Sequence, residues 1–187
     1  MAQKRLFVLV NLSTELREKI QKEISSKLPA TVKVEPKEKL HITLLFIGFF
    51  PEEKIPELVQ ELEGIAFDEF EISLRGLGEF NNKILWLGIK EGSEKLQTLS
   101  SKIQRVAKIQ GDKFHAHITL AKNKELKPLQ TKKLLTQIDS DFNETLLVKS
   151  FELMQSELNA ESSEYYVVQS FPLKQKKNGA EFKSVLD

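Results

Sequence analysis

Cysteine is absent from this 187-residue chain. That excludes a disulfide framework, a thiolate nucleophile, an iron–sulfur cluster and Cys-ligated zinc. No apolar run approaches the ~20 residues of a membrane span. No Gly-rich loop ending in Gly-Lys-Ser/Thr is present to cradle a nucleotide's phosphates. Net charge is almost nil, since 28 basic against 27 acidic residues leave +1. A strongly basic wrapper of long nucleic acid is thereby excluded, but not a protein that reads one phosphate or one strand end. No Pro/Gly/Ser linker divides the chain, which fits one domain or two small lobes sharing a core. Hydrophobic residues at 40% and charged residues at 29% give a globular balance rather than a disordered one. The opening Met1-Ala2-Gln3-Lys4-Arg5 reads as the approach to a first strand, not as a signal peptide. The expectation is a cytoplasmic protein with no membrane association.

Strand and helix patterns alternate. Strands are predicted over 6–10, 31–35, 40–47 (ended by Gly48), 67–74, 84–89, 114–121, 146–158 and 165–173, with a turn at Gly76 to Gly78. Helices are predicted from Ser13 or Thr14 to near Leu28-Pro29, from Pro51 through Leu62, from Ser93 through Ala107, and over 129–138. Residues 174–187 read as a frayed tail following a 1–173 domain. Such interleaving, with paired strands late in the chain, indicates α+β or α/β packing rather than a bundle or sandwich.

One internal echo stands out. His41-Ile42-Thr43-Leu44 recurs as His117-Ile118-Thr119-Leu120, so two of the chain's three histidines open the two copies. Side chains alternate faces along a strand, so each His shares a face with its Thr while Ile and Leu turn toward an apolar layer. If the copies sit on related lobes packed about a pseudo-twofold, two imidazoles and two hydroxyls converge on one cleft. Metal-independent phosphodiester cleavage needs those groups. One imidazole takes a proton from the attacking oxygen and the other gives one to the departing oxygen. The hydroxyls donate to non-bridging oxygens where charge grows.

These motifs resemble those of the 2H phosphoesterases, named for two His-x-Thr/Ser motifs. The chain is most similar to their RNA 2′,3′-cyclic phosphodiesterase (RNA 2′,5′-ligase) branch. The similarity runs from Arg5-Leu6-Phe7-Val8 to Ser170-Phe171-Pro172-Leu173. It is most specific in Leu40-His41-Ile42-Thr43-Leu44-Leu45-Phe46-Ile47-Gly48 and Phe114-His115-Ala116-His117-Ile118-Thr119-Leu120-Ala121-Lys122. The resemblance implies a bilobal α+β fold, two pseudo-twofold-related lobes of antiparallel sheet each carrying one motif, with helices outside and a central groove. It also implies no cofactor or metal, a monomer, and RNA ends bearing a 2′,3′-cyclic phosphate as substrate. His41 would protonate the leaving O3′, His117 would activate water, and Thr43 and Thr119 would bind phosphate. Two positions depart from the family's pattern: Ala116 stands where proline is usual, and Lys122 where a phosphate-contacting arginine is usual. Lysine keeps the charge and loses the bidentate fork. Strict parity places Lys122 opposite His117, so reaching the cleft requires a bulge or a strand end.

Other readings compete. His115, His117 and His41 could together ligate zinc, against which His115 is a groove-wall or surface residue. The resemblance implies that Phe46 stacks on a nucleobase, as the matching aromatic does in the family, while its odd offset from His41 equally suits packing in the core. Lys113, Lys122, Lys124, Lys127, Lys132 and Lys133 outnumber Asp112 and Glu125 near the second motif, a rim attractive to RNA or simply a solvated face. Alternative functions are a phosphodiesterase of small nucleotides (cyclic ADP-ribose phosphate or 2′,5′-oligoadenylate) and a noncatalytic RNA-end binding module.

Overall fold

The computed structural model describes residues 2–111, 113–138, 142–158 and 163–175; the greater part of the expected C-terminal tail lies outside them. Their architecture is α+β. The strands are β1 (Gln3–Asn11), β2 (Val32–Val34), β3 (His41–Pro51), β4 (Phe70–Phe80), β5 (Ile84–Ile89), β6 (His117–Asn123), β7 (Asn143–Val148), β8 (Ser150–Leu158) and β9 (Ser163–Pro172). The helices are α1 (Thr14–Glu23), α2 (Ile55–Glu63), α3 (Ser93–Ala107) and α4 (Pro128–Ile138). One sheet runs β7-β4-β5-β6-β3-β1-β8-β9, with β2 added on β6. All the strand pairings are antiparallel.

The two motif strands meet in the middle of this order. A single pairing, Ile42 with Ile118, joins β3 to β6, with β7, β4, β5, β6 and the added β2 on one side of the junction and β3, β1, β8 and β9 on the other. Both isoleucines are fully buried. They point into a core with Leu6, Val8 and Val10 of β1 and the apolar stripes of α1, α2 and α3, among them Ile20, Leu62, Leu96, Leu99 and Ile103. Burial of each such side chain is worth about 1.5–3 kcal/mol. The helices therefore cover one face of the sheet, and the other face is left concave and open.

Several expected elements are corrected. The strand expected over 146–158 is two: β7 pairs with β4 at one edge, while β8 pairs with β1 and β9 in the other half. Lys149 alone separates them, and one residue spans only about 3.3 Å. The sheet must curl until its two ends approach. Gly48 does not end β3; it sits inside it at φ +79°. Gly76 to Gly78 is not a turn either. β4 runs through it with a register shift between Leu74 and Leu77, Gly76 has φ +80°, and a Cβ on Gly78 would overlap the Trp86 ring. α1 stops at Glu23 and passes into a 3-10 turn, Ser25–Lys27. The second motif strand begins at His117, not Phe114.

Two bulges give the concave face its composition. In β3, Val8 pairs with Leu45 and Leu9 with Thr43, so Leu44 is the extra residue. In β6, Leu85 pairs with Ala121 and Trp86 with Thr119, so Leu120 is extra. Each bulge falls three residues after its histidine. A bulged residue drops out of the ladder, and here each carbonyl finds a partner beyond it. The buried Ser100 hydroxyl of α3 donates to Leu44 O at 2.6 Å, and Glu35 N–H donates to Leu120 O at 2.8 Å. Ser100→Ala leaves the Leu44 carbonyl unpaired among apolar groups, and should cost about 1–3 kcal/mol. Denaturant unfolding measures this; a loss below about 0.5 kcal/mol, the range of an ordinary surface substitution, would show that the bond does not hold the bulge.

Candidate active site

Antiparallel pairing centred on Ile42 and Ile118 determines what lies beside it. Extending the register by one residue sets His41 across from Thr119 and His117 across from Thr43. All four turn away from the core because their isoleucine neighbours turn into it. They line one cavity of about 490 Å³ on the concave face, within the size range of small-molecule sites.

The histidines are held alike. His41 Nδ1 lies 2.6 Å from the Lys39 carbonyl, and His117 Nδ1 lies 2.6 Å from the His115 carbonyl. A carbonyl only accepts, so Nδ1 carries the proton and donates it, leaving Nε2 as the free base. Thr43 Oγ1 stands 3.0 Å from His41 Nε2 and donates to it when the ring is neutral. Aromatic rings wall both imidazoles. Phe7 and Tyr165 stand 5.6 and 5.9 Å from His41, and Phe80 stands edge-on 5.0 Å from His117.

This surrounding lowers both histidine pKa values from the ordinary one. Desolvation is the largest cause at each. The hydrogen bond to Lys39 O opposes it at His41, as does the Glu35 charge, while the Arg17 and His117 charges add to it. At His117 the bond to His115 O opposes it and the charge of His115 adds to it.

Lys122 and Phe46 reach the same cavity. The Leu120 bulge supplies the parity change that Lys122 requires, since Leu120 and Ala121 are both buried and the next residue returns to the concave face. Its ammonium lies 3.0 Å from the Glu35 carboxylate. The Leu44 bulge does the same for Phe46, five residues after His41 as Lys122 is after His117. Phe46 is not a core residue: it is 69% exposed, with its ring 6.3 Å from Phe7.

His115 does not join them. Its ring leans on Phe80 and Trp86, each at 5.1 Å, and it borders a different cavity. Among the described residues, no three His, Cys, Asp or Glu side chains are grouped to hold a metal. No helix there is long and apolar enough to cross a membrane.

Sequence reasoning missed Arg5, Glu35, Lys39, Phe80 and Tyr165, which also line the groove. Arg5 had no local mark, because Leu6 to Val10 is an unbroken apolar run; only the structure divides it, with Phe7 and Leu9 in a small cluster apart from the main core of Leu6, Val8 and Val10. Nor had Tyr165; it arrives through the pairing of β9 with β8, at Ser156.

Residues 13–160 match the 2′-5′ RNA ligase superfamily. The chain belongs to that superfamily. It is 35% identical over 162 residues to the RNA 2′,3′-cyclic phosphodiesterase of Archaeoglobus fulgidus, covering 81% of this chain and 90% of that protein. The protein of the same name from Aeropyrum pernix is 33% identical over 129 residues, covering 64% and 73%. The fold is that of E. coli LigT complexed with NADP+, with a TM-score of 0.80, 24% identity, and 93% of this chain and all 100% of that one covered.

Superfamily membership gives the imidazole environment a direct check. Both His41 and His117 should titrate below about 6.5, the ordinary value, in NMR spectra of the ring protons. Glu35→Gln should carry His41 lower still, because a charge that favours its protonated form is gone. A midpoint above 6.5 at either ring would contradict the dominance of burial.

Proposed function

We propose that the protein hydrolyses RNA 2′,3′-cyclic phosphate ends to 2′-phosphate ends, with His41 and His117 as the acid–base pair and no metal. The observation that carries this reading is the paired setting of the two imidazoles: one cavity and one tautomer, with Nε2 unprotonated at each and, at His41, accepting from the Thr43 hydroxyl. The names of the A. fulgidus and A. pernix relatives support the substrate.

In this mechanism His117 Nε2 takes a proton from water, whose oxygen attacks phosphorus. The P–O3′ bond breaks as protonated His41 passes its proton to O3′, leaving the phosphate on O2′. Thr43 and Thr119 donate hydrogen bonds to the non-bridging oxygens, where charge accumulates. Lys122 offers those oxygens a point charge, already held over the groove by Glu35. Phe46 presents a face to the terminal base. Reversal with an RNA 5′-hydroxyl in place of water gives a 2′,5′ linkage without ATP.

His41→Ala and His117→Ala should each lower kcat by about 10²–10⁴ on an RNA ending in a 2′,3′-cyclic phosphate. The double variant should be little worse, since acid and base act in one displacement. Either variant remaining folded and near full activity would refute the pair. The bell of kcat/KM against pH needs one neutral and one protonated imidazole, and both values are lowered. Its falling limb should therefore lie below about pH 6.5.

Lys122→Ala should raise KM and lower kcat/KM, and Lys122→Arg should retain activity. Lys127→Ala, beyond the groove lining, should act weakly and only at low ionic strength. Steady-state kinetics at two salt concentrations separates them; equal, salt-screened losses would remove Lys122 from the phosphate site.

A further inference from the structure

A second cavity, of about 540 Å³, adjoins the groove on the His117 side. Its lining includes Trp86, Phe114 and His115, with Arg75 and Lys90 as cations, Glu94 as a carboxylate and Gln97 as a side-chain amide. We propose that this cavity holds the nucleoside at the 5′-hydroxyl end of a second RNA, the acceptor for 2′,5′ transfer. The inference rests on the hydrolytic reading given above.

Trp86 is built as a platform. It stands opposite Gly78 in the β4–β5 pairing, and a Cβ on Gly78 would overlap its six-membered ring. A Cβ on Gly88 would come within 3.2 Å of the same ring. The indole thus lies across bare backbone on two strands, and it lines the cavity. His115 and Phe80 tilt against it at 5.1 and 5.3 Å. An indole in a cavity whose lining carries two cations against one carboxylate is suited to a nucleobase and its backbone phosphate, with stacking worth about 1–3 kcal/mol per base. The cavity volume lies within the range of small-molecule sites.

Position selects the acceptor. Phe80 lines the groove and touches both His117 at 5.0 Å and His115 at 5.1 Å, so the two cavities are neighbours across these rings. Phe46, Phe7 and Tyr165 crowd the His41 half, where O3′ departs. The nucleophile comes in line from the opposite side. A base stacked on Trp86 sets its 5′-hydroxyl on the side of His117. The 5′-O–H proton passes to His117 Nε2, the oxygen bonds to phosphorus, P–O3′ breaks, and His41 protonates O3′. The product is a 2′,5′-phosphodiester with a free 3′-hydroxyl; nothing is oxidised and no co-reactant is consumed.

Trp86 is the chain's one tryptophan, so its fluorescence reports the cavity. A short RNA with a 5′-hydroxyl and an ordinary 3′-hydroxyl should quench it saturably, in wild type and in His41→Ala alike. Arg75 and Lys90 are exposed, so Arg75→Glu combined with Lys90→Glu should fold. That double variant should weaken quenching about tenfold and lower the ratio of 2′,5′ transfer to hydrolysis by a similar factor. No quenching at millimolar RNA would overturn the proposal. So would equal losses of transfer and hydrolysis, which would assign the cavity to the cyclic-phosphate strand. Quenching by wild type without any turnover would support the cavity and overturn the hydrolytic reading instead.

Discussion

The pairing of Ile42 with Ile118 is the constraint from which the rest of the site follows. It brings β3 and β6 together antiparallel at the centre of the sheet, and it buries the residue between each His and Thr. Hydrophobic burial on the helix side thereby sets four polar side chains on the open side. Slipping either strand by one residue would turn its histidine into the core and its isoleucine into the groove. The core and the site are two faces of one register.

What parity sets in place, the bulges then extend. Leu44 and Leu120 occupy the same step after the two histidines, and both insertions return the fifth residue to the groove. In one half that residue is Phe46 and in the other Lys122. The approximate symmetry that pairs the imidazoles thus delivers an apolar face and a cation at equivalent places. On the proposed reading these serve the base and the phosphate of one RNA end. Glu35 couples the halves further, since its backbone satisfies the Leu120 bulge, its carboxylate holds Lys122, and its charge favours the protonated form of His41.

The convergence of His41, Thr43, His117 and Thr119 was legible because it depends on two local periods and one repeat. The positions of Phe46 and Lys122 were not. Neither Leu44 nor Leu120 carries a glycine or other bulge signal, and their carbonyls are satisfied by Ser100 and Glu35, 56 residues away in the first case. Glycine misled in the opposite direction. Gly48 and Gly76 relieve positive φ inside strands, and Gly78 makes room for Trp86, so punctuation read as strand ends is instead strand shape. The break at Lys149 has no local mark either, because the curl of the whole sheet imposes it.

The identity of the product tests the central claim most directly. An RNA ending in a 2′,3′-cyclic phosphate, incubated with the protein in EDTA, should open to a 2′-phosphate and a free 3′-hydroxyl, as resolved by chromatography against both monoesters. That outcome requires O3′ to leave, with the acid beside O3′ and the base on the opposite side of phosphorus. A 3′-phosphate product, or an intact cyclic phosphate that opens only when metal is restored, would contradict the account.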